Sequence, residues 1–179
     1  MEKIDLPLGG RLLFSPRWLA ASEASHIQRE LERELQPCQE EIMMFGRPCK
    51  QARLTQWMGD PRAVYRYGGR EFVPAPWTPT MLAIKARVER AVGHAFNSVL
   101  VNLYRDGRDS VAMHADNEKP LAPVIASMSF GATRRLVLQT KCDEDNGVPN
   151  RELARVRTPR PSIMAIETGG DVVAGLPAG

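Results

Sequence analysis

The stretch that decides the fold is Phe96–Gln139, FNSVLVNLYRDGRDSVAMHADNEKPLAPVIASMSFGATRRLVLQ. Apolar and polar residues alternate from Asn97 to Tyr104, which is the pattern of a β-strand with two different faces. Turn-forming residues follow at Arg105–Gly107 and again at Gly131–Thr133. These breaks divide the stretch into four predicted strands, at residues 97–104, 110–116, 124–130 and 134–139.

Two helices are predicted before these strands. The first runs from Ser22 to Pro37, because apolar residues recur every four positions and proline cannot continue a helix. The second begins after Thr78, which can cap it, and ends at Gly93, a common helix terminator. Helices followed by strands indicate an α+β fold around an antiparallel or mixed sheet. The length of 179 residues suits one domain, spanning 1–179.

Outside this core the pattern is less regular. Glu41–Phe45 is predicted as a strand followed by a turn at Gly46–Pro48. Two more strands are predicted near Leu153–Val156 and Ile163–Ile166. The closing residues, 169–179, have no clear pattern, so residues 155–179 are interpreted as an atypical or truncated tail.

Composition excludes several classes of protein. No apolar run approaches the ~20 residues of a membrane helix, and residues 1–5 lack the pattern of a secretory signal. The three cysteines have no spacing typical of zinc sites or disulfide frameworks. We therefore expect a cytoplasmic protein, with a nuclear location equally open, and no membrane partner. The net charge is only +3, but just five of the 24 basic residues are lysines, and arginine is the better ligand for phosphate.

His114 and Asp116 form the pattern that indicates chemistry. Residues two apart on a strand point to the same face, so this imidazole and carboxylate can bind one metal ion side by side. With a second histidine they would complete the facial triad of non-haem iron oxygenases. An isolated pair of this kind is more often exposed or hydrogen-bonded. Asn102 and Tyr104 favour the metal-site interpretation, because both can donate hydrogen bonds to a small dicarboxylate. The alternative is that Asn102 is an amide at a strand edge and Tyr104 a half-buried phenol.

Ordered motifs in this region are similar to those of a known family. They read N-x-Y-x-D-G, then H-x-D-x-E, then PVIASMSFGATR, and upstream RPCKQARLTQWMGDPRAVYRYGG. Together, from about Phe45 to Gln139, they resemble the core of the AlkB family of Fe(II)/2-oxoglutarate-dependent dioxygenases, which repair alkylated nucleic acids. As an ordered set the motifs are far more specific than any one of them.

The resemblance implies a fold and an activity. The fold would be a double-stranded β-helix, or jelly-roll, with N-terminal helices, a nucleotide-recognition lid at 45–76 and a core at 97–140. His114 and Asp116 would bind Fe(II), while Asn102 and Tyr104 would bind 2-oxoglutarate. The reaction would be oxidative dealkylation of N-alkylated bases in DNA, or in RNA, with O2 consumed and succinate, CO2 and formaldehyde released.

The same resemblance implies contacts to the substrate. Tyr65 and Tyr67 would lie in the lid, where an aromatic ring can stack on a flipped base and a hydroxyl can reach a phosphate. Glu118 and Arg134 would lie near the base pocket. For these residues the alternatives are packing within a hairpin and ordinary surface charge. Alkylated DNA or RNA is the expected partner, and no protein partner is predicted.

The sequence departs from the family at its C-terminal end. Family members have a second iron-binding histidine followed by an arginine-rich strand, whereas no histidine follows His114 here. Either the closing VVAGLP aligns with the family's W-x-H-x-x-P, with Ala174 at the histidine position, or the sequence from about Arg155 is out of frame with its ancestor. The alternative function is therefore a catalytically impaired, truncated member that is at most a weak nucleic-acid-binding module.

Overall fold

The computed structural model describes residues 1–6, 10–44, 46–67, 70–114, 124–140, 152–158, 162–167 and 172–176. Within these ranges the chain forms helices α1 (Ala21–Glu34) and α2 (Pro79–Val92) and strands β1 (Glu2–Asp5), β2 (Arg11–Ser15), β3 (Glu41–Met44), β4 (Arg47–Lys50), β5 (Leu54–Gly59), β6 (Tyr65–Tyr67), β7 (Arg70–Phe72), β8 (Ser98–Leu103), β9 (Val111–His114), β10 (Val124–Ser129), β11 (Arg134–Thr140), β12 (Glu152–Thr158), β13 (Ser162–Glu167) and β14 (Val172–Leu176). The predicted mixture of helices and strands is confirmed. No helix in these ranges is long and apolar enough to cross a membrane.

The chain divides into two compact units. One contains Met1–Gln28 and Ala112–Pro177, and the other contains Arg29–Val111. The first unit is built from two four-stranded sheets, with strand orders β1-β2-β13-β10 and β12-β11-β14-β9. The expectation that residues 1–179 form one domain stays a prediction.

The sheets of the first unit join distant parts of the sequence. β13 pairs antiparallel with β2 on one side and with β10 on the other, so that Ile166 lies opposite both Leu12 and Ile125. Leu12 and Leu138 are fully buried, which makes their strands the core of this unit. The strands predicted near residues 153–156 and 163–166 are confirmed as β12 and β13. β1, β2 and β14 had not been predicted.

The second unit contains the better-capped helix. The Thr78 hydroxyl accepts a hydrogen bond from the Met81 N–H at 3.3 Å, and Gly93 closes α2 at φ 72° in the left-handed conformation. Met81, Ile84 and Val88 are buried along one face, at the spacing expected for an amphipathic helix. The predicted bounds of this helix are confirmed.

Helix α1 ends at Glu34, ahead of Pro37, and its last residue contacts the start of α2. The Glu34 carboxylate accepts a hydrogen bond from the Thr80 hydroxyl at 2.7 Å and another from the Thr80 N–H at 3.3 Å. A hydrogen bond from the Thr78 side chain is the largest cause that lowers the pKa of Glu34, with the Thr80 hydroxyl next. This carboxylate therefore joins the end of α1 to the N-terminus of α2, where negative charge is favoured.

The predicted turn at Gly46–Pro48 is shorter than expected. Gly46 adopts φ 74°, but Arg47–Lys50 already forms β4, which pairs with β3 and places Pro48 opposite Met43. Proline is tolerated here because β4 is an edge strand of a two-stranded sheet, where an N–H can be lost without breaking a ladder.

A second ladder in this unit positions the central strand of the motif region. β5 pairs antiparallel with β8, with Thr55 opposite Asn102 and Gly59 opposite Ser98. A Cβ atom added at Gly59 would lie 2.6 Å from the backbone oxygen of Asn97, so only glycine fits at this crossing. The ladder therefore holds β8, the strand that carries Asn102, against β5, which lies within the predicted lid at 45–76.

Candidate functional site

His114 is the last residue of β9, at the edge of the sheet β12-β11-β14-β9. Its side chain is exposed, and its Nδ1 lies 2.8 Å from the carbonyl oxygen of Ala112. Because a carbonyl only accepts, Nδ1 must carry the proton and the Nε2 atom then carries the lone pair of the neutral ring. Backbone carbonyls select this tautomer in histidines that bind metals through Nε2.

The partner carboxylate of the predicted metal site, Asp116, lies outside the described residues, as does Glu118. Among the residues that are described, no group of three or more histidine, cysteine, aspartate or glutamate side chains is placed to hold a metal ion. Because Asp116 lies outside the described residues, the His114–Asp116 pair stays a prediction.

Asn102 lies on β8, and its side chain is exposed. Its Oδ1 atom accepts a hydrogen bond of 2.6 Å from the Nε of Arg53, a residue just before β5. An amide whose oxygen is held in this way directs its NH2 group elsewhere, as a donor. Tyr104 follows β8 directly and is half-buried. The two predicted 2-oxoglutarate ligands thus lie two residues apart at the end of one strand, and their binding role stays a prediction.

The turn after Tyr104 is held by an ion pair that the sequence analysis did not identify. Asp109 is buried, at 6% exposure, and its carboxylate accepts hydrogen bonds from the Arg105 N–H, Nε and guanidinium NH2 at 2.9, 2.8 and 2.9 Å. The Arg105 side chain is the main cause that lowers the pKa of Asp109 to about 2. Asp106 pairs in the same way with Arg108, at 2.6 Å. The alternation Arg-Asp-Gly-Arg-Asp was the available sequence signal for this turn.

Tyr65 belongs to an aromatic cluster in the predicted lid. Its ring centroid lies 5.1 Å from that of Trp57 and 6.4 Å from that of Phe72. The indole N–H of Trp57 donates to the Ala63 carbonyl at 2.7 Å, which anchors the cluster to the loop after β5. Tyr67 lies on β6, where its backbone pairs with Arg70. The ring of Tyr65 therefore packs against other aromatic rings, which agrees with the packing alternative given above. Its contact with a base stays a prediction.

Arg134 begins β11 and lies opposite Thr158 of β12. Its side chain is half-buried, which suits either a structural ion pair or a substrate contact. The residue that sequence reasoning missed is Arg53. Its link to Asn102 depends on the β5–β8 register, which joins positions 49 residues apart in the chain.

Comparison with known proteins identifies the family. Residues 11–173 match the 2OG-Fe(II) oxygenase superfamily. The DNA oxidative demethylase ALKBH2 of Homo sapiens is 37% identical over 143 residues, covering 77% of this chain and 54% of that protein. The alpha-ketoglutarate-dependent dioxygenase alkB homolog 3 of Bos taurus is 38% identical over 141 residues, covering 76% of this chain and 49% of that protein. An ALKBH2 of Arabidopsis thaliana is 33% identical over 151 residues.

The chain spans about half the length of the curated relatives that it matches. The family match nevertheless covers most of the chain, including the whole motif region from Phe96 to Gln139. The chain therefore belongs to the 2OG-Fe(II) oxygenase superfamily and, within it, to the AlkB family.

Proposed function

We propose that this chain acts in the oxidative dealkylation of N-alkylated bases in DNA, and of RNA bases of the same kind, with Fe(II), 2-oxoglutarate and O2. The observation that carries the proposal is the 37% identity, over three quarters of the chain, to a protein named as a DNA oxidative demethylase. The cytoplasm is the proposed location, with no membrane partner and no protein partner.

The fold proposed for the core is a double-stranded β-helix. Two four-stranded sheets within one compact unit, built from strands far apart in sequence, support it. Closing two sheets around a shared core leaves one end open for a small-molecule site, as in other jelly-roll proteins. His114 ends a strand of one of these sheets, which suits a ligand at such an opening.

In this proposal, the protein's own residues bind and orient. His114 and Asp116 hold Fe(II), and the contact between Nδ1 of His114 and the Ala112 carbonyl supports the fit, because a proton held on Nδ1 makes Nε2 the metal-binding atom. Asn102 and Tyr104 donate hydrogen bonds to 2-oxoglutarate. When bound, iron and 2-oxoglutarate would supply the activation of O2, with one oxygen atom going to succinate as CO2 is released and the other going to the N-alkyl carbon, which leaves as formaldehyde.

Substrate contacts are proposed for four residues. Tyr65 and Tyr67 would face the nucleic acid from the lid at 45–76, and Glu118 and Arg134 would contact the base or its phosphates. The cluster of Tyr65 with Trp57 and Phe72 supports a rigid aromatic surface in the lid. Aromatic surfaces of this kind stack with unpaired bases irrespective of sequence.

A second candidate function is favoured by a specific observation. The sequence has no histidine after His114, and Ala174 lies on the strand that the sheet order places beside β9. Iron held by two protein side chains and water is bound more weakly than iron held by three oriented side chains. This candidate is a catalytically impaired family member that at most binds nucleic acid weakly.

One assay separates the two candidates. Succinate formation from 2-oxoglutarate is measured with a methylated oligonucleotide and Fe(II), and binding of the same oligonucleotide is measured without iron. The dealkylase proposal predicts iron-dependent succinate formation, whereas the impaired candidate predicts succinate formation near background, which the missing second histidine favours for the 179-residue chain. Robust iron-dependent turnover that is lost in His114→Ala would contradict the impaired candidate. A chain that forms no succinate and also fails to bind the oligonucleotide would contradict both candidates.

A further inference from the structure

In the second unit, the side chain of Arg53, the residue that precedes β5, contacts the side chain of Asn102 on β8. The Nε–H of Arg53 donates to Oδ1 of Asn102 at 2.6 Å. A guanidinium has donors only, so its partner atom must be the amide oxygen and not the amide nitrogen. The contact therefore decides which way the Asn102 amide points.

The strand register explains why these two residues meet. Thr55 lies directly opposite Asn102 in the antiparallel β5–β8 pair. Arg53 lies in the bend that leads into β5, two residues before Thr55, so the strand pairing brings its backbone close to Asn102. A long side chain from position 53 then reaches Asn102 along the diagonal, a distance that such side chains span across paired strands.

The charge at this position adds a second argument. Among the residues that the structure describes, no carboxylate lies within ion-pair distance of Arg53, and the bond that its Nε makes is to a neutral amide. A cation that is not neutralised by a carboxylate keeps its attraction for an anion nearby. Arg53 thus places positive charge beside an amide whose oxygen is already occupied and whose NH2 group remains a donor.

We propose that Arg53 is a positioning residue for the anionic cosubstrate, acting through Asn102. This inference rests on the proposed function, since it takes Asn102 as a 2-oxoglutarate ligand. By holding the amide oxygen, Arg53 presents the Asn102 NH2 group as a donor to a carboxylate. Without Arg53 the Asn102 amide can rotate and present its oxygen, which repels a carboxylate. Reorienting the amide then costs free energy and weakens the binding of 2-oxoglutarate.

The first arm of the test needs no ligand. Side-chain NH2 resonances of Asn102 are compared by NMR in the 179-residue chain and in Arg53→Met, Arg53→Lys and Arg90→Met. Arg90 is an exposed residue of α2 in the same unit and is the matched control. We expect Arg53→Met to shift and broaden the Asn102 signals, Arg53→Lys to do so less, and Arg90→Met to leave them unchanged. Unchanged Asn102 signals in Arg53→Met would overturn the proposal.

The second arm measures 2-oxoglutarate binding by calorimetry with redox-inert Mn(II). Loss of a hydrogen bond to a charged group predicts that Arg53→Met raises the Kd about tenfold. The same change in an Asn102→Ala background should raise it less than about twofold, because Arg53 acts through Asn102. Equal losses in both backgrounds would overturn the positioning role.

The two arms separate failure of this inference from failure of the proposed function. If the unsubstituted chain binds no 2-oxoglutarate, the cosubstrate role of this site is contradicted, while the Asn102 resonances still decide whether Arg53 orients the amide. If 2-oxoglutarate binds and Arg53→Met has the same Kd as Arg90→Met, the proposed function stands and the positioning role is wrong. Melting temperatures of all variants identify any loss of fold.

Discussion

Ala174 of β14 pairs with Leu138 of β11, and β14 lies between β11 and β9, the strand that ends at His114. In the alignment that places Ala174 at the position of the family's second iron-binding histidine, that position is on the strand next to the one that ends at His114. The residue there is alanine, which has no atom able to bind a metal. The strand order in the sheet is therefore consistent with an alignment that places Ala174 at the position of the second histidine.

The first prediction concerns this position. Ala174→His should lower the Fe(II) dissociation constant by at least about tenfold, because in the proposed site an imidazole on the neighbouring strand adds a third ligand to His114 and Asp116. The measurement is anaerobic Fe(II) titration. Ala83→His, on the exposed side of α2, is the control for histidine added elsewhere. An equal gain in both variants, or a gain that survives His114→Ala, would contradict the prediction.

The second prediction concerns the turn after Tyr104. Asp109→Asn removes the charge that holds the Arg105 N–H and guanidinium, and should lower the melting temperature by several degrees. Asp106→Asn is the matched control, since its partner Arg108 is far more exposed, at 92% of its side chain. Thermal unfolding followed by circular dichroism compares the two. A larger loss in Asp106→Asn than in Asp109→Asn would show that the buried pair is not the stabilising one.

The third prediction is a pH dependence from the same carboxylate. The pKa of Asp109 is lowered from 3.8 to about 2 by the Arg105 hydrogen bonds, so the ionised form is the one that stabilises the fold. That stability is fully present above pH 3.8 and is lost as the pH falls towards 2. Urea unfolding should therefore show a fall in the free energy of unfolding across this window. In Asp109→Asn the fall should be smaller, and an identical pH profile in both proteins would contradict the assignment.

The fourth prediction tests the cap of α2. Thr78→Ala removes the hydroxyl that accepts from the Met81 N–H and should lower the free energy of unfolding by about 1 kcal/mol. Thr78→Ser keeps a hydroxyl at the cap and should lose much less. Urea unfolding measures both. Because Thr78 also donates to Glu34, the pKa of Glu34 should rise in Thr78→Ala, which NMR titration of its carboxyl would detect.

The fifth prediction tests the β5–β8 crossing. Gly59→Ala places a Cβ atom 2.6 Å from the Asn97 backbone oxygen, so the strands must separate, at a cost of about 1–3 kcal/mol. Unfolding in urea measures the loss, and NMR shifts of Ser98 report the movement. Gly46→Ala has open space around its Cβ and so tests backbone strain alone, at φ 74°. A loss in Gly59→Ala no larger than that in Gly46→Ala would contradict the crowding.

The sequence predicted those helices and strands that are determined by residues within the same segment. Helix α2 has its cap, its proline and its terminating glycine within one segment, so its bounds could be read directly. The strands β8, β10 and β11 carry alternation or β-branched residues between turns, and these too were predicted. β1, β2 and β14 were not predicted, because these strands are short and their stability depends on pairing with segments elsewhere in the chain.

By itself, the sequence determined the family, the α+β composition and the candidate residues His114, Asn102 and Tyr104. These depend on the order and spacing of residues along the chain and on side-chain chemistry, both of which are known without the fold. Only the tertiary structure decided that Arg53 holds the Asn102 amide and that the strand of Ala174 lies beside that of His114. Those relationships depend on strand register and order, which are set by burial and backbone pairing between segments far apart in the chain.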